Sequence, residues 1–271
     1  MTIRIRNRLT FIFFFISLAF FLVSILAVSY KCMTHTLILP EVYIGKQFFT
    51  SLPFTCNPFY TLIAIFILQF YVCLTTFLIF RSFEKTQAAD ISFFLFFVVA
   101  CLLNSSRLYF PLLNLTKYSR LLLSMGNVNM FARLLAPLAL FGATVLSYDD
   151  QRQYVDRNIV IIIITSLFFT ELIPINNAIL LPNFCISYGY VNLVRTISLI
   201  ICILSIISLF ISNKKNEYNQ LTTIGFAMTA IGYSIMFYCY NLAGLITGPL
   251  FLGAGTTIYL NELHNHYMWN D

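Results

Sequence analysis

Residues 11–21 read FIFFFISLAFF, and residues 159–169 read IVIIIITSLFF. Neither run carries a charge and neither has a polar face. A helix on the surface of a soluble protein shows one apolar stripe, whereas a helix that is apolar all round lies in a large core or in lipid. The rest of the chain decides for lipid. Of its 271 residues, 59% are hydrophobic and only 10% are charged, against about 25% charged in an ordinary soluble domain. So few charges cannot cover a soluble surface. A soluble enzyme, a nucleic-acid-binding domain and a disordered tail are therefore excluded. The fold class that remains is all-α: a polytopic transmembrane helix bundle.

Outward from these two runs, eight segments are long and apolar enough to span a hydrocarbon core of about 30 Å. They lie near 10–30, 59–80, 90–112, 120–147, 159–180, 190–212, 220–240 and 243–262. Strands of a transmembrane barrel would instead alternate polar and apolar over about ten residues. No linker, repeat or low-complexity stretch divides the chain, so residues 1–271 read as a single integral membrane domain. The largest connection, 31–58, reads as an extracytoplasmic loop or cap, because Leu37, Ile38, Leu39, Phe48, Phe49 and Phe54 make it apolar enough to lie on the membrane face. Cys32 and Cys56 bracket it and are a candidate disulfide in an oxidising compartment; two free thiols are the alternative.

The net charge of +6 follows from topology and not from a nucleic-acid partner. With the N-terminus inside, the inner pieces hold nine basic residues: Arg4, Arg6, Arg8, Arg81, Lys85, Arg152, Arg157, Lys214 and Lys215. The outer loops hold four: Lys31, Lys46, Lys117 and Arg120. This bias places both termini in the cytoplasm of a cell-membrane protein. The start of the chain also imitates a signal peptide, with Ala27-Val28-Ser29 as a cleavage-like site. Its apolar run, however, exceeds the usual 7–15 residues, so the first span reads as an uncleaved anchor. Cleavage would leave seven spans.

Little catalytic chemistry is visible. No span carries a lysine for a retinal, and no HExxH, GxSxG or Walker motif occurs. Asp149, Asp150 and Asp156 recur near Arg152 and Arg157, which reads as a self-neutralised loop. Glu262 and His266 stand four apart at an exposed helix end, which is too little for a metal site. The expectation is a chain without metal or cofactor, and the balance is against an enzyme. Gly225, Gly232, Gly244 and Gly248 predict that the last two spans pack closely on each other.

Ionisable groups within spans cost roughly 2.5–3.5 kcal/mol and mark functional candidates. Here they are Arg107, Arg133, Glu171 and Arg195. At about 1.5 Å per residue, Glu171 lies about 18 Å above the inner edge, Arg107 and Arg195 about 24 Å, and Arg133 between about 12 and 18 Å. The four are thus within reach of one another in depth. Their surroundings are polar or helix-breaking: Asn104 to Ser106 and Pro111, Asn127, Asn129 and Pro137, Pro174 with Asn176-Asn177, and Asn192. Broken backbone at membrane depth is tolerated where it lines a wet cavity or is buried in protein. The pattern predicts an outward-facing polar pocket built by spans three to six, with Arg107, Arg133, Glu171, Arg195, Asn127, Asn129 and Asn192 as ligand-binding candidates. Glu171 is expected to face the interior and pair with Arg133 or Arg195.

Three arginines against one glutamate leave two cations unmatched, which points to a small anionic ligand or a lipid headgroup. A ligand-sensing or interaction module fits this surplus. About nine residues follow the last span, so such a module would act through a membrane or cytoplasmic protein partner. A secondary transporter of a small anion is the alternative, and a structural subunit without a ligand is another. The lipid bilayer is a partner in every case.

Overall fold

A computed structural model describes residues 3–37, 43–47, 50–84, 86, 88–113, 120–145, 154–181, 183–216, 220–239 and 241–269. The chain adopts the expected helical bundle. Its long helices are α1 (Ile3–Met33), α2 (Pro58–Ser82), α3 (Ala89–Ser105), α5 (Arg120–Val145), α6 (Val155–Leu172), α7 (Val191–Asn216), α8 (Gln220–Phe237) and α9 (Leu242–Trp269). A 3-10 turn over Ser106–Leu108 joins α3 to the short α4 (Tyr109–Leu112). Seven helical segments are long and apolar enough to cross a membrane: α1, α2, α3 continued through α4, α5, α7, α8 and α9. The eighth long helix, α6, is 18 residues long and carries Asp156, Arg157 and Glu171 near its ends.

The fifth span departs from expectation. Residues 159–180 were to form one helix, but α6 stops at Leu172 and Ile173 turns extended, with φ −88° and ψ 116°. Proline disfavours helix at the residue before it and offers no N–H to the preceding turn, so Pro174 sets this stop. Beyond it lie β3 (Ile175–Leu180) and β4 (Ile186–Tyr188), an antiparallel hairpin. A second hairpin, β1 (Tyr43–Gln47) with β2 (Thr50–Cys56), occupies the connection after α1. Its side chains lie outside the described residues, as do Asp149, Asp150 and Arg152. Pro137, by contrast, does not break its span: α5 runs through it.

α3 is the most enclosed helix. Ile91, Phe93, Phe94, Phe97, Val98, Ala100 and Cys101 are all shut off from solvent and lipid. α1 and α7 are the most lipid-facing. The last two helices form the expected close pair. A Cβ on Gly232 would stand 2.4 Å from the Leu252 amide nitrogen, and one on Gly225 would stand 2.8 Å from that of Tyr259. Only glycine admits so near an approach of two backbones.

Polar side chains fix the two ends of the bundle. At one end Arg6 donates to the carbonyls of Thr86, at 2.7 Å, and Phe83, while Asn7 donates to Glu84 O at 2.7 Å. The Phe83 ring meets His264 edge-on at 5.7 Å, and the Tyr267 hydroxyl donates to Asp90 at 3.0 Å. The beginning of α1 and the close of α9 therefore share one end of the bundle. At the other end Thr61 of α2 donates to Cys239 O at 2.9 Å, and the β3–β4 hairpin closes over the helices.

Candidate functional site

The hairpin seats itself by its tip. Phe184 adopts φ 60°, a left-handed value that is rare for a bulky residue. In return its ring is fully buried against Leu62, Ile65, Leu108 and Leu112. The tip is closed by Leu181 N–H to Cys185 O at 2.8 Å and Phe184 N–H to Leu181 O at 3.0 Å. One edge of the hairpin lies against α5, where a Cβ on Gly126 would come within 2.7 Å of Ile186 Cδ1.

Under this cap sits Arg107, in the 3-10 turn, and it is fully buried. Its guanidinium donates to Phe237 O at 3.0 Å and to Met236 O and Asn183 O at 3.4 Å each. Its Cζ also lies 5.1 Å from the Phe237 ring centroid, and its Nε has no partner. Phe237 ends α8. The last carbonyls of a helix lack internal donors and carry the negative end of its dipole. A buried cation is thus balanced by a helix terminus in place of a carboxylate.

Arg133 of α5 is also buried. It donates to the Tyr238 hydroxyl. Its Cζ stands 4.7 Å from the ring centroids of both Tyr188 and Phe237, and 5.5 Å from that of Tyr238. These ring faces attract a desolvated guanidinium. Arg195, in α7, is half-buried and lies 4.8 Å from the same Tyr238 ring. Burial pushes the Tyr188 phenol up to about 12, with Arg133 pulling the other way. That phenol keeps its proton at neutral pH.

Asn129 completes the cluster. It is buried, donates to Asn104 O at 3.3 Å, and its Oδ1 lies 3.5 Å from the Cys185 sulfur. Asn104 in turn donates to the Tyr233 hydroxyl at 3.4 Å. Gly126, Asn129, Arg133, Cys185 and Tyr188 line a small cavity here, with about 10 Å³ open to a water centre. That cavity holds one water.

Four of the seven candidates therefore come together: Arg107, Arg133, Arg195 and Asn129. Three do not. Glu171 is exposed and makes no ion pair with any arginine. The expected pairing fails because α6 ends one residue later, leaving this carboxylate on the outer rim of the bundle. Asn127 is half-buried and Asn192 exposed, and neither side chain makes a hydrogen bond. Among the described residues no carboxylate meets Arg107, Arg133 or Arg195. Cys32 is exposed and free; the side chain of Cys56 lies outside the described residues. The sequence reading missed Phe237 and Tyr238 as guanidinium partners, and the backbone carbonyls as well. With 29 phenylalanines and 16 tyrosines in the chain, two aromatics carry no signal of their own.

No family model, curated protein or solved structure matches the chain. Fold and span set define the class: an integral, multi-pass, helical membrane protein in contact with the lipid bilayer.

Proposed function

We propose that the chain is a ligand-sensing or interaction module of the cell membrane, which binds an anionic group at its hairpin-capped end. The observation that carries this reading is the pair Arg133 and Arg195. Both guanidiniums gather at one tyrosine ring, and no carboxylate among the described residues neutralises either. Arg107 is different, because the α8 terminus already balances it. An anion would approach the pair from the half-exposed Arg195 side, away from the small cavity that Arg133 shares with Gly126, Asn129 and Tyr188. Toward the opposite end the bundle is filled by Phe83, Phe93, Phe94, Phe97 and Tyr259, which favours sensing over passage. Orientation follows the basic-residue bias: both termini cytoplasmic, the hairpin outside, and any protein partner engaged through the membrane or the inner face.

The test is a thermal-shift series on protein in zwitterionic nanodiscs with phosphate, sulfate and short carboxylates. At least one anion should raise the melting temperature saturably in wild type. The rise should vanish in an Arg133→Gln/Arg195→Gln double variant and persist in Arg157→Gln. Arg157 stacks on Tyr154 at the other end of α6, so it controls for a general charge effect. Equal shifts in all three proteins would refute the reading.

A further inference from the structure

Arg195 follows the first turn of α7, flanked by Leu193, Ile197, Leu199 and Ile200, all turned outward. A guanidinium has five N–H donors. Here Nε is enclosed without a partner, and no described residue accepts a hydrogen bond from the head group. Arginine near a helix end in lipid finds acceptors for its donors in the headgroup layer. The Arg195 Cζ lies 4.8 Å and the Arg133 Cζ 5.5 Å from one ring centroid. The two head groups are thus separated by no more than those distances together. A carboxylate has two oxygens and one charge, so a second guanidinium must share oxygens that one bidentate fork already engages. A phosphate monoester has a third strong acceptor oxygen and close to a second charge. It can accept from two forks at once.

We propose that Arg195 and Arg133 hold a phosphate group, supplied by a lipid headgroup of the adjoining leaflet or by a free phosphate anion. This rests on the anion reading above and names its chemistry. Arg195 is the accessible arm and Arg133, fixed by the Tyr238 hydroxyl and three aromatic rings, is the rigid one. The lipid-facing setting of Arg195 places a headgroup phosphate within its reach without any opening of the hairpin.

The experiment compares three probes on the whole protein in a phosphate-free maltoside detergent: dioctanoyl phosphatidic acid, inorganic phosphate, and decanoate as the carboxylate amphiphile. Native mass spectrometry counts bound molecules, and thermal shift gives affinity. One phosphatidic acid should bind per chain, at least tenfold more tightly than decanoate. Arg195→Gln should weaken it tenfold or more, and Arg195→Lys, which keeps the charge but not the fork, should fall between. Inorganic phosphate binding as tightly as the lipid would identify free phosphate as the source; a response to the lipid alone would identify the headgroup. Decanoate binding as tightly as phosphatidic acid would overturn the phosphate assignment while leaving the anion reading standing. Failure of every anion to bind wild type would overturn both. The wild-type comparison needs no variant, so a variant that does not fold leaves the test intact.

Discussion

Gly232→Ala should separate the last two helices. The added methyl would sit 2.4 Å from the Leu252 amide nitrogen, 2.7 Å from its Cα and 2.9 Å from its Cβ. Non-bonded carbon contacts are comfortable at about 3.5–4.0 Å, so α9 must withdraw by about 1 Å. The obstructing atoms are mostly backbone, which cannot rotate aside. Overpacking of this kind costs about 1–3 kcal/mol. The same retreat would loosen the neighbouring contact, where a Cβ on Gly255 would stand 2.6 Å from the Thr229 amide nitrogen. Gly253 is the internal control. A Cβ there meets nothing within 4 Å, and replacing a mid-helix glycine by alanine gains about 0.5–1 kcal/mol. The two alanine variants should therefore differ by at least about 1.5 kcal/mol in opposite directions from wild type. Unfolding in mixed micelles of rising dodecyl sulfate fraction, followed by far-UV circular dichroism, measures the difference. Gly232→Ala matching Gly253→Ala in stability would refute the close α8–α9 contact.

Arg107→Leu removes the donor to three carbonyls and leaves them buried, so it should destabilise by about 3–5 kcal/mol in the same assay; protease cleavage near residue 182 should rise with it as the hairpin loses its anchor. Glu171→Gln alters an exposed, unpaired carboxylate and should change stability by less than about 0.5 kcal/mol; a loss above about 1.5 kcal/mol would restore the discarded ion pair. Reporter fusions after Tyr218 and at Asp271 should read cytoplasmic and one at Thr116 extracytoplasmic, and an extracytoplasmic C-terminus would reverse the end to which the site opens.

Helix placement was legible because the bilayer demands length and apolarity, and runs such as 11–21 meet both without tertiary help. The α8–α9 pairing was legible for a similar reason: Gly225 and Gly232 recur at helical spacing, and small residues have one dominant use in lipid. The end of α6 was harder. Ile175, Ala178, Ile179 and Leu180 are apolar enough to prolong a span, and only Pro174 marked the break. The candidate site divided along the same line. Arg107, Arg133 and Arg195 stood out as cations at membrane depth. Their partners did not, because a helix terminus and the faces of Phe237 and Tyr238 neutralise charge without any charged residue to show it. Glu171 misled through the assumption that a carboxylate at this depth must pair, whereas helix termination leaves it on the rim.

The most direct measurement is the dissociation constant of dioctanoyl phosphatidic acid, taken by titration calorimetry on wild type and on the Arg133→Gln/Arg195→Gln variant in the same maltoside detergent. The expected result is one site per chain, weakened at least tenfold in the variant, which is about 1.4 kcal/mol. Wild type and variant binding with the same affinity, or no saturable heat from wild type, would contradict an anion site built on these two arginines.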